Sequence, residues 1–151
     1  FTTTISIISV FIILKIYGRK KLYSGCKPKT LITGASSGLG RELACTLSEH
    51  KWPLILTGRN ETALKNLAAY IYEKYEIIQP TIILDLLCDV SIEECAKTII
   101  KQHSDIEILI NNAGIGHRAS CLDTSMDVIH KIIQTNFLGP VYLTKCFINY
   151  I

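Results

Sequence analysis

The residues best suited to chemistry lie in one short run, Thr33-Gly34-Ala35-Ser36-Ser37-Gly38-Leu39-Gly40. An apolar pair, Leu31-Ile32, precedes it, and a helix-like segment from Arg41 to His50 follows. A glycine-punctuated turn from strand to helix brings backbone N–H groups and the positive end of a helix up to an anion, above all a phosphate. Glycine permits positive φ and lacks the Cβ that would hold a pyrophosphate off. The glycines stand at 34, 38 and 40, which is not the G-x-G-x-x-G spacing of the commoner turn. Taken alone, the run also fits an ordinary glycine-rich loop.

Four further places qualify. Leu56-Thr57-Gly58-Arg59-Asn60 ends a strand-like stretch with a guanidinium, which pairs bidentately with phosphate oxygens. Asp85 closes a third apolar stretch, with Leu86 after it; Asp89 competes for the same role but reads better as the acidic start of the next helix. Asn111-Asn112-Ala113-Gly114 follows a fourth apolar run. Asn136 stands four residues before Pro140, which has no N–H, so the Asn136 carbonyl loses its intrahelical donor and is left to hold a water. The plainer reading is that Pro140 only kinks the helix.

These places need a scaffold, and the hydrophobic pattern supplies one. Thr30–Thr33, Pro53–Thr57, Thr81–Leu86 and Ile106–Ile110 read as strands. Between them, Leu39, Leu43 and Leu47 predict one buried helical stripe. Leu64, Leu67, Ala68, Ile71 and Tyr75 predict a second, and Ile92, Cys95, Ala96, Ile99 and Ile100 a third. From Met126, Ile129, Ile132, Ile133 and Phe137 begin a long last helix. Continuous apolar strands alternating with helices imply an α/β protein, a Rossmann-like doubly wound parallel sheet with partial strand order 3-2-1-4. Ligands of such sheets sit beyond the carboxyl ends of the strands.

In order and spacing, Thr33–Gly40, Asn111–Gly114 and Asn136 resemble the short-chain dehydrogenase/reductase family, without obvious gaps from about Leu31 to Ile151. Cys121–Val128 and Asn136–Val141 with Leu143-Thr144-Lys145 resemble one membrane-anchored branch more closely. The resemblance implies a nicotinamide cofactor held by Thr33, Gly34, Ser36, Ser37, Gly38, Leu39, Gly40, Arg59, Asn60, Asp85, Leu86, Asn111, Ala113 and Gly114. It implies that Asn136 carries a water in a proton relay, and that the catalytic serine and Tyr-x-x-x-Lys pair lie beyond Ile151. Tyr70 with Lys74 and Tyr17 with Lys21 have the spacing of that pair but the wrong positions. Where members that prefer NAD(H) place Asp or Glu, this chain has Gly58 followed by Arg59, with Arg41 near the glycine turn; NADP(H) is expected over NAD(H). The expected substrate is a lipid-like ketone or alcohol, and a homodimer through the last helix is expected. The rival reading is a non-catalytic nucleotide-binding module.

The 151 residues suit one domain. A net charge of +3 is too small to argue for nucleic acid. Six cysteines without a C-x-x-C pair argue against a zinc site or a disulfide framework, and isolated histidines against a metal. Residues 1–21 read as a hydrophobic anchor helix with a basic flank, 22–29 as a linker and 30–151 as the nucleotide-binding domain. Phe1–Leu14 carries no charge and precedes Lys15, Arg19, Lys20 and Lys21, which places the domain on the cytosolic side of a membrane, that of the endoplasmic reticulum or peroxisome. A signal peptide and an interfacial helix are the alternatives.

Overall fold

The short apolar runs become strands, and the 3.6-residue stripes between them become helices. The computed structural model describes residues 11–14 and 27–151. The elements are β1 (Phe11–Leu14), β2 (Lys29–Ile32), α1 (Gly38–Glu49), β3 (Leu54–Gly58), α2 (Glu61–Tyr75), β4 (Thr81–Ile83), α3 (Asp89–Gln102), β5 (Ile106–Asn111), α4 (Met126–Ile133) and α5 (Gly139–Phe147), with a π-helical turn (Gln134–Leu138) joining the last two. The sheet order is β1-β5-β2-β3-β4. Four strands are parallel, and counted from the first buried one they stand 3-2-1-4, as the sequence predicts.

Successive residues of β2 face opposite layers, and both layers are full. Leu31 enters a core with Ile55, Ile92, Ile99, Leu109, Leu143 and Phe147, under α3 and α5. Ile32 enters a second core with Leu54, Leu56, Leu64, Leu67 and Ile71, under α1 and α2. Burial on both sides is why the strands read as unbroken apolar runs. The chain winds outward from β2 to β4, then returns through α3 to β5 on the other flank of β2. That reversal opens a crevice at the carboxyl ends of β2 and β5.

Two expectations need correction. The first is the buried face of α1. It is Gly40, Ala44 and Ser48, not the leucine stripe; Leu43 and Leu47 are half-buried, and Leu39 is 55% exposed. Small residues let α1 lie close on the sheet, and the leucines fill its flanks. The second is the long last helix, which is interrupted. Pro140 offers no N–H, and the Gly139 N–H donates five residues back, to Gln134 O, so the chain makes one wide turn before α5. The anchor helix expected over 1–21 lies, apart from Phe11–Leu14, outside the described residues; those four form an antiparallel edge strand with Phe11 opposite Asn111 and Leu14 opposite Ile108. Among the described residues, no helix is long and apolar enough to cross a membrane.

At the other end of the sheet the loops are fastened by one buried side chain. Gln79, 4% exposed, donates through Nε2 to Trp52 O (2.8 Å) and Ser48 Oγ (3.2 Å), and its Oε1 accepts from the Leu54 N–H (2.8 Å). It thereby ties the α2–β4 loop, on which it stands, to the end of α1 and the α1–β3 loop.

Candidate nucleotide-binding site

A cleft of about 920 Å³ opens at the crevice. Its wall begins with the glycine turn. Gly34 and Gly38 have φ of +67° and +54°, left-handed values that favour glycine. A Cβ on Gly34 would stand 2.8 Å from Ala113 Cα, so the glycine turn and the Asn111–Gly114 loop meet backbone to backbone. A Cβ on Gly38 would meet nothing within 4 Å, and Gly38 lines the cleft; the turn is bare on that side.

Thr33 ties the two loops together. It is fully buried, and its Oγ1 accepts from the Asn112 and Ala113 N–H groups, each at 3.0 Å. Asn112 returns the contact, donating through Nδ2 to Thr33 O at 2.9 Å. These bonds fix the mouth of the cleft.

The first turn of α1 differs from those of α2 and α4. Asn60 caps α2 by accepting from the Ala63 N–H at 2.9 Å, and Ser125 caps α4 through the Val128 N–H. Ser37, at the start of α1, makes no side-chain cap, and no acid stands in that turn. A helix leaves its first four N–H groups without intrahelical partners. Here the residues at the helix start, Ser37, Gly38 and Leu39, line the cleft beside Ser36.

Gly58, Arg59, Asn60 and Glu61 form the corner beyond β3. A Cβ on Gly58 would stand 3.1 Å from Ser36 Oγ, so a longer side chain would crowd the turn. Arg59 is exposed at this corner. The Glu61 carboxylate is paired with Lys65 Nζ at 2.6 Å, and that ammonium holds it below the usual carboxylate range. Arg41 does not line the cleft. It pairs with Glu42 at 3.0 Å and lies over the Tyr70 ring, 5.5 Å from its centroid, because its place on α1 turns it toward α2.

Asp85 and Leu86 line the opposite wall with Leu84. Asp85 Oδ1 accepts from the Leu87 N–H at 3.0 Å, which holds the loop after β4 in a tight turn. Asp89 is the first residue of α3, the place the sequence reading gave it. Asn136 lies outside the cleft lining and latches the wide turn to the Asn111–Gly114 loop. Its Oδ1 accepts from the Ile115 N–H and its Nδ2 donates to Ile115 O, both at 2.8 Å.

Of the expected residues, Gly34, Ser36, Ser37, Gly38, Leu39, Arg59, Asn60, Asp85, Leu86, Ala113 and Gly114 line one cleft. Thr33 and Gly40 stand behind its wall as struts, and Asn111 lies buried at the end of β5, donating through Nδ2 to Thr144 Oγ1 at 3.2 Å. Tyr70 and Lys74 pack against each other on the outer face of α2, away from the cleft. The sequence reading missed Thr135. It is 6% exposed, lines the cleft, and its Oγ1 has no hydrogen-bond partner. The Asn111 Oδ1 is likewise buried and unpartnered. A threonine inside a helical pattern gives no signal of this kind in sequence.

A parallel sheet with its crevice at the switch point, a bare glycine turn and an uncapped helix start define a dinucleotide-binding fold. The model of the short chain dehydrogenase family matches residues 28–151, and the chain belongs to that family. It is 40% identical over 118 residues to dehydrogenase/reductase SDR family member 7 of Homo sapiens, covering 76% of this chain and 35% of that protein. It is 39% identical over 123 residues to dehydrogenase/reductase SDR family member 7B of Xenopus tropicalis, covering 78% of this chain and 40% of that protein. The chain thus spans less than half the length of these relatives. Among solved structures, an alcohol dehydrogenase from Thermococcus sibiricus complexed with 5-hydroxy-NADP superposes with a TM-score of 0.78 at 26% identity, covering 83% of this chain and 53% of that one.

Proposed function

We propose that the complete protein is an NADP(H)-dependent oxidoreductase of the short-chain dehydrogenase/reductase kind, acting on a carbonyl or alcohol of lipid-like character. The observation that carries this reading is the corner of the cleft where Gly58 stands in place of an acid and Arg59 follows, exposed. The cleft also fits the cofactor at the phosphates: the bare side of Gly38 and the uncapped start of α1 leave a cradle of N–H groups with no protein partner for an anion to meet.

When bound, the nicotinamide cofactor supplies the hydride chemistry. The residues of this chain bind and orient. Ser36, Ser37, Gly38 and Leu39 take the pyrophosphate. Arg59 takes the 2′-phosphate, with Asn60 at the ribose, and Asp85 and Leu86 flank the adenine. Ala113 and Gly114, in the loop that Thr33 and Asn112 fasten, border the nicotinamide half with Asn111 behind them. The Asn136 carbonyl, in the wide turn that Pro140 imposes, keeps the water of a proton relay. The apolar N-terminal run and its basic flank associate with a membrane, the domain facing the cytosol. The exposed face of the last helices, with Met126, Ile133, Phe137 and Val141, forms a homodimer contact.

A charge-assisted contact is worth roughly 1.5–3 kcal/mol, which sets the preference for NADP(H) over NAD(H) at about tenfold to over a hundredfold. The test is turnover by the full-length protein on a panel of hydrophobic ketones with NADPH and NADH. Equal use of the two, or a preference for NADH, rejects the cofactor assignment. Tight NADPH binding without turnover supports a second reading, a non-catalytic nucleotide-binding module. Protease digestion of intact microsomes tests the topology, and a protected domain overturns the cytosolic assignment.

A further inference from the structure

The corner beyond β3 carries an acid as well as Arg59. Glu61 is the first residue of α2 and lines the cleft beside Arg59 and Asn60. The acid suits the helix, because a carboxylate in the first turn meets the positive end of the dipole. It does not suit an anion. A negative charge at the corner repels a nucleotide phosphate, and a carboxylate two residues from Arg59 competes for its guanidinium. One turn along the helix stands a group that meets both conflicts. Lys65 follows Glu61 by four residues, the order and spacing at which Glu and Lys pair best on a helix, and its Nζ lies 2.6 Å from Glu61 Oε1. The pairing holds the Glu61 carboxyl below its usual range. Among the described residues, Arg59 takes part in no ion pair. Arg41 gives the corner no second cation, since Glu42 and the Tyr70 ring hold it.

We propose that Lys65 is a positioning residue for cofactor choice: by holding Glu61 it offsets the acid's charge at the corner and leaves Arg59 to a nucleotide 2′-phosphate. The inference rests on the NADP(H) reading above. Lys65 is not among the residues that line the cleft, so it acts through Glu61 and not by touching the nucleotide. A carboxylate released at this corner repels the phosphate but can accept from a ribose 2′-hydroxyl, the contact by which sheets of this kind hold NAD(H). Loss of Lys65 therefore weakens NADPH and spares NADH. The two side chains are 67% and 61% exposed, so water screens the effect. An exposed charge interaction of this kind changes an affinity by about two- to fivefold, less than the contact of Arg59 itself.

Calorimetric titration of the full-length protein with NADPH and with NADH, at low salt, tests the inference. Lys65→Met is expected to weaken NADPH about two- to fivefold and to leave NADH at its native affinity, whereas Lys65→Arg keeps both native. In a Glu61→Gln background, Lys65→Met is expected to cause no further loss, because no carboxylate remains to be offset. The loss in the native background should fade in 1 M salt, where the screening length is about 3 Å. Both side chains are exposed enough for these substitutions to leave the fold intact, which circular dichroism checks. Native NADPH affinity in Lys65→Met, an equal loss for both cofactors, or the same loss with and without Glu61 overturns the role of Lys65 and leaves the cofactor reading standing. A native protein that binds NADPH no tighter than NADH overturns both.

Discussion

The two ends of the sheet are fastened by different means. At the carboxyl end, loops meet backbone to backbone through missing side chains, with Gly34 against Ala113 and Gly139 against Leu86 O, where a Cβ would come to 2.6 Å. At the opposite end the loops are held by a present side chain, Gln79, and by Trp52. The contrast follows from use. An end that must leave bare N–H groups facing a cleft cannot spend side chains on capping them. An end without that demand satisfies its polar groups internally. Substitution at the first end adds atoms that do not fit, and at the second removes atoms that are needed.

The largest effect is expected from Gly34→Ala. The new methyl adopts a left-handed φ at about 1–3 kcal/mol and presses on the Ala113 backbone at a further 1–3 kcal/mol. Urea denaturation is expected to show a loss of about 2–6 kcal/mol, with nucleotide affinity falling in the folded fraction. A stable variant with native affinity breaks the claim that close backbone approach builds the cleft. Gln79→Ala is next. It strands the Leu54 N–H and the Trp52 carbonyl, at about 1–3 kcal/mol for a buried unsatisfied group. Stability is expected to fall by that amount or somewhat more, while nucleotide affinity of the folded fraction stays native. Loss of affinity would show that the two ends are not independent.

Arg59→Ala separates the ends in the opposite sense. The side chain is exposed and crosses no core, so the denaturation midpoint is expected to stay within about 0.5 kcal/mol of native. Affinity for NADPH is expected to drop about tenfold to over a hundredfold, with little change for NADH. Fluorescence titration with both cofactors measures it, and equal losses would show that Arg59 does not read the phosphate.

The legible part of the molecule was the part written in periodicity. Parallel strands buried on both faces force unbroken apolar runs, so β2, β3 and β5 and their order could be read directly. The cleft was legible because its glycines and Arg59 are fixed by local backbone geometry and charge. What escaped depended on contacts between distant segments. Gly40, Ala44 and Ser48 look too small and polar to mark a buried face, and only the close approach of α1 to the sheet makes them one. Thr135 is unremarkable until a wide turn of the helix places it in the cleft wall. That turn was half visible: Pro140 showed that a carbonyl would lose its donor, but not that the helix would widen to a π turn in response.

The smallest expected effect lies at the end away from the cleft, in the pair between Lys29 Nζ and Asp105 Oδ1 at 2.7 Å. The Lys29 ammonium holds the Asp105 carboxyl below its usual range. A carboxylate whose folded value is depressed adds stability that is fully present above its unfolded value, near 3.9, and is lost as pH falls through the folded one. The Asp105 side chain is 68% exposed, so water screens the pair and its worth is about 0.2–1 kcal/mol. Asp105→Asn is therefore expected to be less stable than the native chain by that amount at pH 7 and equal to it near pH 2. At pH 7 the difference should also shrink in 1 M salt, where the screening length is about 3 Å. Urea midpoints of the two chains across that pH range give the comparison. A gap that persists at pH 2 would mean that Asp105 acts through packing or its backbone rather than its charge, and this end of the sheet would then owe nothing to surface ion pairs.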